Sequence, residues 1–542
     1  MSAEEETFLG FDLSTQKLKA VILNGTLQVQ CTAEVQFDSD LPEYRTTGGV
    51  NVGSGRNEYY VQPTMWVKAI DMVLDRLVMA GADFSKVQSI SGSAQQHGSL
   101  YWSKHGVETL RKLDSDKFLH IQIDESSFTL TRTPIWMDGS PEKQCIEMEE
   151  AIGGKEEMVS ITGSKCYPRF TGPQIRKIYQ NRTHCFEDTQ RISLVSSFLA
   201  SIFLNDIASI DFSDGSGMNL LDIQERKWSK PCLNACAPDL DERLGDVVET
   251  CSILGNVGQF FIERYGFKED CKICAFTGDN PSALTGLLVE DNWMAISLGT
   301  SDTLMMTLSE PTKLQEGHVF CHPTQEGAFM GLLCFRNGSL VRDYLRKTEA
   351  NNSWETFNSL LEATPRGNYG NMALHFQVQE IIPNSCGTLK WNKTNSLESG
   401  KGLLKFSSPE AEVRALVEGQ MLHKKAVAMD FGCKFGNDTK IVATGGASVN
   451  KSILQVISDV FNAPVYVQTE SEAALFGAAY RAKYCLYKIE NSEPMSYYDY
   501  IVSYIPDHLK LICEPSKDSD SIYSPMLNRY REMVETLKTK KD

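Results

Sequence analysis

What this chain of 542 residues lacks narrows its chemistry first. No apolar run is long enough to cross a bilayer. The start, MSAEEETF, has neither a basic n-region nor an apolar h-region, so no secretory signal is expected and the cytoplasm is the expected compartment. Basic charge is in deficit. A net charge of −17 and an isoelectric point of about 5.1 make nucleic acid and anionic membrane poor partners. They leave an ATP site open, because local amide dipoles and a bound cation decide that. The 15 cysteines are scattered and form no clear metal motif. Cys232/Cys236 and Cys271/Cys274 together mimic a zinc site, but Cys274 lies in an apparent strand (KICAF), so these are read as reduced core thiols.

What is present is an ordinary soluble composition, 42% hydrophobic and 23% charged. The chain is too long for one core, so two large domains are expected. One device occurs twice. Thr7–Ile22 (TFLGFDLSTQKLKAVI) reads as strand, tight polar turn, strand, and Met294–Leu308 (MAISLGTSDTLMMTL) repeats it. Aligned on the turn, Asp12 and Thr15 fall on Ser297 and Thr300. Small hydroxyl residues and glycine leave backbone N–H groups pointing outward, a nest for phosphate oxygens. Two nests on two halves suggest a nucleotide clamped in a cleft between related domains.

The rest of the pattern is α/β. Val61–Met79 has helical spacing with Pro63 near its start, and Val87–Gly92 is a strand leading into the turn Ser93–Gly98. Residues 104–131 read as an irregular surface insertion, Arg191–Leu204 as strand then helix, and Ser213–Asn219 as a loop. Cys271–Leu288 is strand, turn and helix. The second half opens near Asp291. It has a hairpin region to Leu333, a polar turn-rich stretch at Pro383–Gly402 and a long helix at Glu410–Met429. Lys440–Ala482 then alternates strand and helix. A tail from about Ile489 ends in an amphipathic helix, Tyr523–Leu537, packed on the body.

Several residues bear chemistry. Asp279, in FTGDNP, follows a strand and precedes a helix, so it reads either as a general base or as a helix cap. Asp12, in the first nest, reads as a Mg²⁺ or phosphate-water ligand or as a turn carboxylate. Gln96-His97-Gly98 suits a polyol pocket, with a structural histidine as the alternative. Arg169 offers a donor to the same substrate, although the local sequence favours a solvated charge. From Gly445, TGGASVNKS nearly fits a phosphate loop, with Asn450 where the second glycine belongs. The preferred reading is that Gly445 and Gly446 admit a base or ribose, with Ala473, Ala474, Gly477 and Ala478 forming a close helix-packing face.

At the blocks FDLSTQ, SAQQHGS, PIWMDGS, RFTGPQIRKIYQ, SSFLASIFL, DFSDGSGMNLLDI, FTGDNPSAL, ISLGTSDTL, LLCFRNGSL and ATGGAS, the chain resembles the FGGY carbohydrate kinases of the actin/hexokinase/Hsp70-like ATPase superfamily. It departs at Ser14, where glycine is common, and at Arg176, where lysine is usual. The resemblance implies an α/β fold of two ribonuclease-H-like domains. Residues 1–289 would carry sugar binding and the catalytic base, 290–488 the nucleotide, and 489–542 a tail. It implies ATP with Mg²⁺, and phosphorylation of D-xylulose at its C5 hydroxyl, with ribulose or glycerol as alternative substrates and a non-catalytic nucleotide switch as the alternative class. Asp279 matches the base. His97, Arg169, Asp279 and Asn280 match sugar contacts. Asp12, Thr15, Gly299, Thr300, Trp354, Gly445, Gly446 and Asn450 match the nucleotide side, with Asp12 the metal acid. Partners are expected to be small molecules, and the protein a monomer or weak homo-oligomer.

Overall fold

The computed structural model describes residues 5–312, 314, 316–392, 405–469 and 472–539. They form two compact units. The first comprises Met1–Leu288, Val319–Met330 and Glu472–Pro506, and the second Val289–His318, Gly331–Ser471 and Asp507–Asp542.

In the first unit, Thr7–Leu13 and Lys17–Asn24 pair antiparallel across the turn at Ser14–Gln16. The turn is closed by the Ser14 N–H on the Lys17 carbonyl at 3.0 Å. Val29–Gln36 extends the sheet from Lys17–Asn24. On the other side of Thr7–Leu13 lies Val87–Ala94, parallel to it, and next to that Lys272–Cys274, also parallel. Alternation along each strand serves two cores, as a sheet buried on both faces requires. Leu18, Ala20 and Ile22 join Trp66, Ile70, Phe198 and Phe203 of the helices Pro63–Met79 and Val195–Leu204. Val21 and Leu23 face Leu475, Phe476 and Ala479 of the helix Ala473–Glu490. That helix packs tightly on Asp279–Leu287 because glycines meet backbone. A Cβ at Gly477 would lie 2.1 Å from the Ser282 carbonyl oxygen, and one at Gly286 1.9 Å from that of Ala473.

The second unit repeats the wiring. Met294–Leu298 and Asp302–Leu308 pair antiparallel, Ile441–Thr444 runs parallel to Met294–Leu298, and Val465–Gln468 parallel to Ile441–Thr444. The helix Pro409–Asp430 is buried over most of its length, and Ser408 caps it through the Ala411 N–H. The repeat seen in the sequence is thus a repeat of sheet topology.

Two expectations are corrected. Residues 104–131 are not a surface insertion. Helices Lys104–Leu110 and Leu119–Gln122 place Val107, Leu110 and Leu119 in the main core, and buried Asp71 accepts the N–H groups of Leu119 and His120. Residues 213–219 are not a plain loop, since Phe212–Gly215 is helical and Ser216–Met218 a single 3₁₀ turn. The stretch from 489 is shared between the units. Tyr497–Val502 belongs to the first unit, whereas Leu509–Cys513 adds a strand to Val465–Gln468 in the second. The helix Ser519–Thr539 buries Tyr523, Tyr530 and Met533. Two later segments, Val319–Met330 and Glu472–Pro506, belong to the first unit. The stretch Pro383–Gly402 lies partly outside the described residues.

Candidate functional site

The first-unit site is built where parallel strands end, the side of an α/β sheet that faces ligand. Asp12, Ser93 and Thr277 stand in register across three neighbouring parallel strands. Asp279 follows two residues past Thr277 as the first residue of the helix Asp279–Leu287, with Gly278 in the cap position. Its Oδ1 accepts the Asn280 N–H at 2.9 Å. The carboxylate therefore satisfies a first-turn amide while only half-buried.

The electrostatics separate the two acids. Burial and the negative charge of Asp12 push Asp279 up to about 7, against the opposing amide donors of Asn280 and Gln96. Burial also raises Asp12, opposed by the Ser93 hydroxyl and by Lys19 and Lys17. Ser93 Oγ donates to Asp12 Oδ1 at 2.9 Å. Burial depresses Lys19 to about 8, and Lys19 is ion-paired with Glu472. Among the described residues no group of three or more His, Cys, Asp or Glu could hold a metal. A single oxygen ligand beside incoming phosphates and waters suits Mg²⁺, so Asp12 fits the role of its protein ligand.

The polar side chains gather around these acids. His97 adopts a left-handed backbone (φ 70°) and stacks on Phe170 at 4.4 Å. Its Nδ1 faces the Gly217 carbonyl at 2.9 Å. A carbonyl only accepts, so Nδ1 donates to it. Arg169 is half-buried. Its guanidinium lies over the Trp136 ring at 5.4 Å, and Trp136 Nε1 donates to Thr15 Oγ1 at 2.9 Å. One indole thus ties Arg169 to the first nest. Asn280 Nδ2 donates to Gln96 Oε1 at 2.9 Å. Trp136, Ser93 and Asp214 were given no role in the sequence reading, and Gln96 only that of a polar neighbour of His97. Each sits inside a recognisable block, but its partner is distant in the chain.

The second unit carries the other candidates. Gly299 and Thr300 follow Met294–Leu298, and Gly445 follows the adjacent parallel strand Ile441–Thr444, so both turns leave neighbouring strand ends. Gly445 has φ +82°, and a Cβ there would lie 2.8 Å from the backbone N and O of Leu298, whereas one at Gly446 meets nothing within 4 Å. The first glycine lets the turn press on the nest, and the second leaves an open approach. The nest is braced from below. Buried Asp302 takes Arg342 bidentately at 2.8 and 2.9 Å and Lys424 at 3.0 Å, while the Ser339 N–H holds the Gly299 carbonyl at 2.9 Å. Asn450 is not a phosphate-loop glycine substitute. Its φ is −90°, its Oδ1 caps the helix Lys451–Phe461, and Gly446–Val449 is a short 3₁₀ turn. Asn450 Nδ2 instead donates to Asn358 at 2.8 Å. Asn358 is one turn along the helix Trp354–Glu362 from Trp354, which Arg346 covers at 5.2 Å.

All fifteen cysteines are free. Cys232, Cys236, Cys271 and Cys274 are buried core residues, and burial raises the thiols of the first three. Arg176, where lysine is usual, ion-pairs with Glu147 at 2.8 Å. Among the described residues no helix is long and apolar enough to cross a membrane.

A twice-used sheet with hydroxyl- and glycine-rich turns at its strand ends, and a raised carboxylate among sugar-suited donors, defines a sugar-kinase architecture. Two family models match the chain: the FGGY family of carbohydrate kinases, N-terminal domain, over residues 119–286, and its C-terminal domain over 294–486. The chain belongs to this family. It is 43% identical over 532 residues to a xylulose kinase of Rattus norvegicus, covering 98% of this chain and 97% of that one. It is 44% identical over 486 residues to xylulose kinase 2 of Arabidopsis thaliana, covering 88% and 87%. Among solved structures, a xyloylose kinase from Brucella ovis superposes with a TM-score of 0.79 at 19% identity, covering 98% of this chain and all of that one. A Plasmodium falciparum glycerol kinase with ADP gives 0.76 at 15%, covering 98% of each. These two share the fold.

Proposed function

We propose that this protein transfers the γ-phosphoryl group of ATP to the C5 hydroxyl of D-xylulose, giving xylulose 5-phosphate and ADP. The observation that carries the reading is Asp279: a half-buried carboxylate at a strand end, raised to about 7, beside Asn280 and in the unit that holds His97 and Arg169. The near full-length similarity to xylulose kinases selects the sugar.

Asp279 accepts the proton of the attacking hydroxyl as the oxygen bonds to phosphorus and the bond to ADP breaks. A base with a pKa near the working pH is ionised often enough to act and basic enough to take the proton. His97 hydrogen-bonds a sugar hydroxyl, Arg169 donates to one, and Asn280 orients the alcohol beside Asp279. In the second unit, Gly299 and Thr300 offer amides to phosphate, and Gly445, Gly446, Trp354 and Asn450 receive the nucleoside. Asp12 would hold Mg²⁺, and the ion when bound would supply neutralisation of charge on the phosphoryl oxygens.

The test is sugar-dependent ADP release across xylulose, ribulose, glycerol and aldopentoses. Xylulose is expected to give the highest kcat/KM. Preference for another sugar moves the assignment within the family, and nucleotide binding without release for any sugar overturns the enzymatic reading.

A further inference from the structure

Beneath Asn280 lies a buried chain of polar groups with a fixed direction. Asp214 is 1% exposed and Gln96 2%. Ser196 Oγ is hydrogen-bonded to Asp214 Oδ2 at 2.5 Å, and Gln96 Nε2 donates to Asp214 Oδ1 at 3.3 Å. Gln96 Oε1 accepts from Asn280 Nδ2 at 2.9 Å, and the same Nδ2 is 3.2 Å from Asp279 Oδ1. The approach depends on Gly278, where a Cβ would lie 2.3 Å from Gln96 Cγ and 2.7 Å from Asp214 Oδ1.

An amide has one accepting and one donating end, and the carboxyl oxygen of Asp214 that faces Gln96 Nε2 accepts from it. Asp214 Oδ1 therefore turns the NH₂ of Gln96 inward and its carbonyl toward Asn280. That carbonyl in turn demands the NH₂ of Asn280. At the far end Asp279 makes the same demand of the same NH₂ group. Reversing either amide would set two acceptors against each other in a buried place, where an unmade hydrogen bond is costly.

We infer that Asp214 is a positioning residue for the sugar site. Acting through Gln96, it fixes the orientation of the Asn280 amide so that Asn280 Oδ1 is presented to the substrate as an acceptor. This deepens the proposed sugar phosphorylation and rests on it. The consequence is a chemical preference: the sugar group at Asn280 is a hydroxyl that donates, not a carbonyl that accepts. The relay needs an accepting oxygen at Asp214 Oδ1, not a charge, because an asparagine at 214 can accept from Gln96 and donate to Ser196.

The test measures KM for xylulose and for ATP, with melting temperatures, for Gln96→Met, Asp214→Leu and Asp214→Asn. Methionine matches glutamine in shape but neither donates nor accepts. Gln96→Met and Asp214→Leu are expected to raise the xylulose KM about tenfold, the scale of one buried hydrogen bond, with ATP KM unchanged. Asp214→Asn is expected to recover most of what Asp214→Leu loses. A wild-type xylulose KM in Gln96→Met overturns the relay, as does Asp214→Asn behaving like Asp214→Leu, or equal changes in both KM values. If Asp214→Leu fails to fold, Gln96→Met decides. Absence of sugar-dependent ADP release by the wild-type chain overturns the phosphoryl-transfer reading instead, and this one with it.

Discussion

Asp279 and Asp12 are both carboxylates at strand ends, and their surroundings give them different work. Burial and the charge of Asp12 raise Asp279 to about 7, so kcat/KM for the sugar is expected to climb with pH through about 7 and level off above it. Asp279→Ala is expected to cut kcat by ~10²–10⁴, the range a general base contributes; steady-state kinetics on folded protein checks both. The same shift has a stability sign. The usual carboxylate value is 3.8 and the folded value about 7, so between them the native state binds the proton more tightly than the unfolded chain. Stability from this group is then full below pH 4 and lost as pH rises toward 7. Urea unfolding at pH 5 and pH 8 is expected to show a larger loss for the wild type than for Asp279→Asn. Of these side chains, Asp12, His97 and Asp279 were legible in the sequence because each sits in a local signal: a polar turn after a strand, or a carboxylate before Asn-Pro. Asp214 was not, because Gln96, the partner that gives it meaning, lies 118 residues away, and Gln96 was legible only as a neighbour of His97, its partner Asn280 lying 184 residues away.

Between elements, contact is decided by how closely backbones approach. The small-residue face of Ala473–Glu490 was visible in the sequence; its partner, the helix Asp279–Leu287, was not. Gly477→Val puts side chain where the Ser282 carbonyl and the Gly286 N–H already lie, at 2.1 and 2.8 Å from a Cβ. Overpacking of this kind costs about 1–3 kcal/mol, and a lowered melting temperature is the expected result. The helix displaced is the one that begins with Asp279, so activity is expected to fall with stability. Gly445 answers to the same physics in the second unit. Alanine at φ +82° meets both backbone strain and the Leu298 backbone, and Gly445→Ala is expected to raise the ATP KM about tenfold, from strain of about 1–2 kcal/mol, with sugar KM little changed. The near match to a phosphate loop at 445–452, set aside in favour of a base or ribose approach, shows that a motif records only residue types and spacing. Asn450 spends its side chain capping a helix, and the turn before it winds as 3₁₀.

For the whole molecule, the apparent tail is structural. Leu509–Cys513 completes a sheet edge, and Tyr523 Oη donates to buried Glu418 at 2.7 Å. A chain ending at 488 is expected to be insoluble or to lose its cooperative melt, whereas a dispensable tail would leave both intact. What the sequence alone determined was the periodicity of two: strands with apolar residues on both faces, joined by hydroxyl- and glycine-rich turns, used in each half. Strand alternation and turn chemistry are local, so they can be read residue by residue. Only the tertiary structure decided which strand ends are neighbours, and hence that Asp12, Ser93 and Thr277 form one row with Asp279 just beyond it. The raised pKa of that carboxylate, the direction of the amides beneath it and the return of residues 472–506 to the first unit depend on groups brought together across hundreds of residues, and on the loss of water around them.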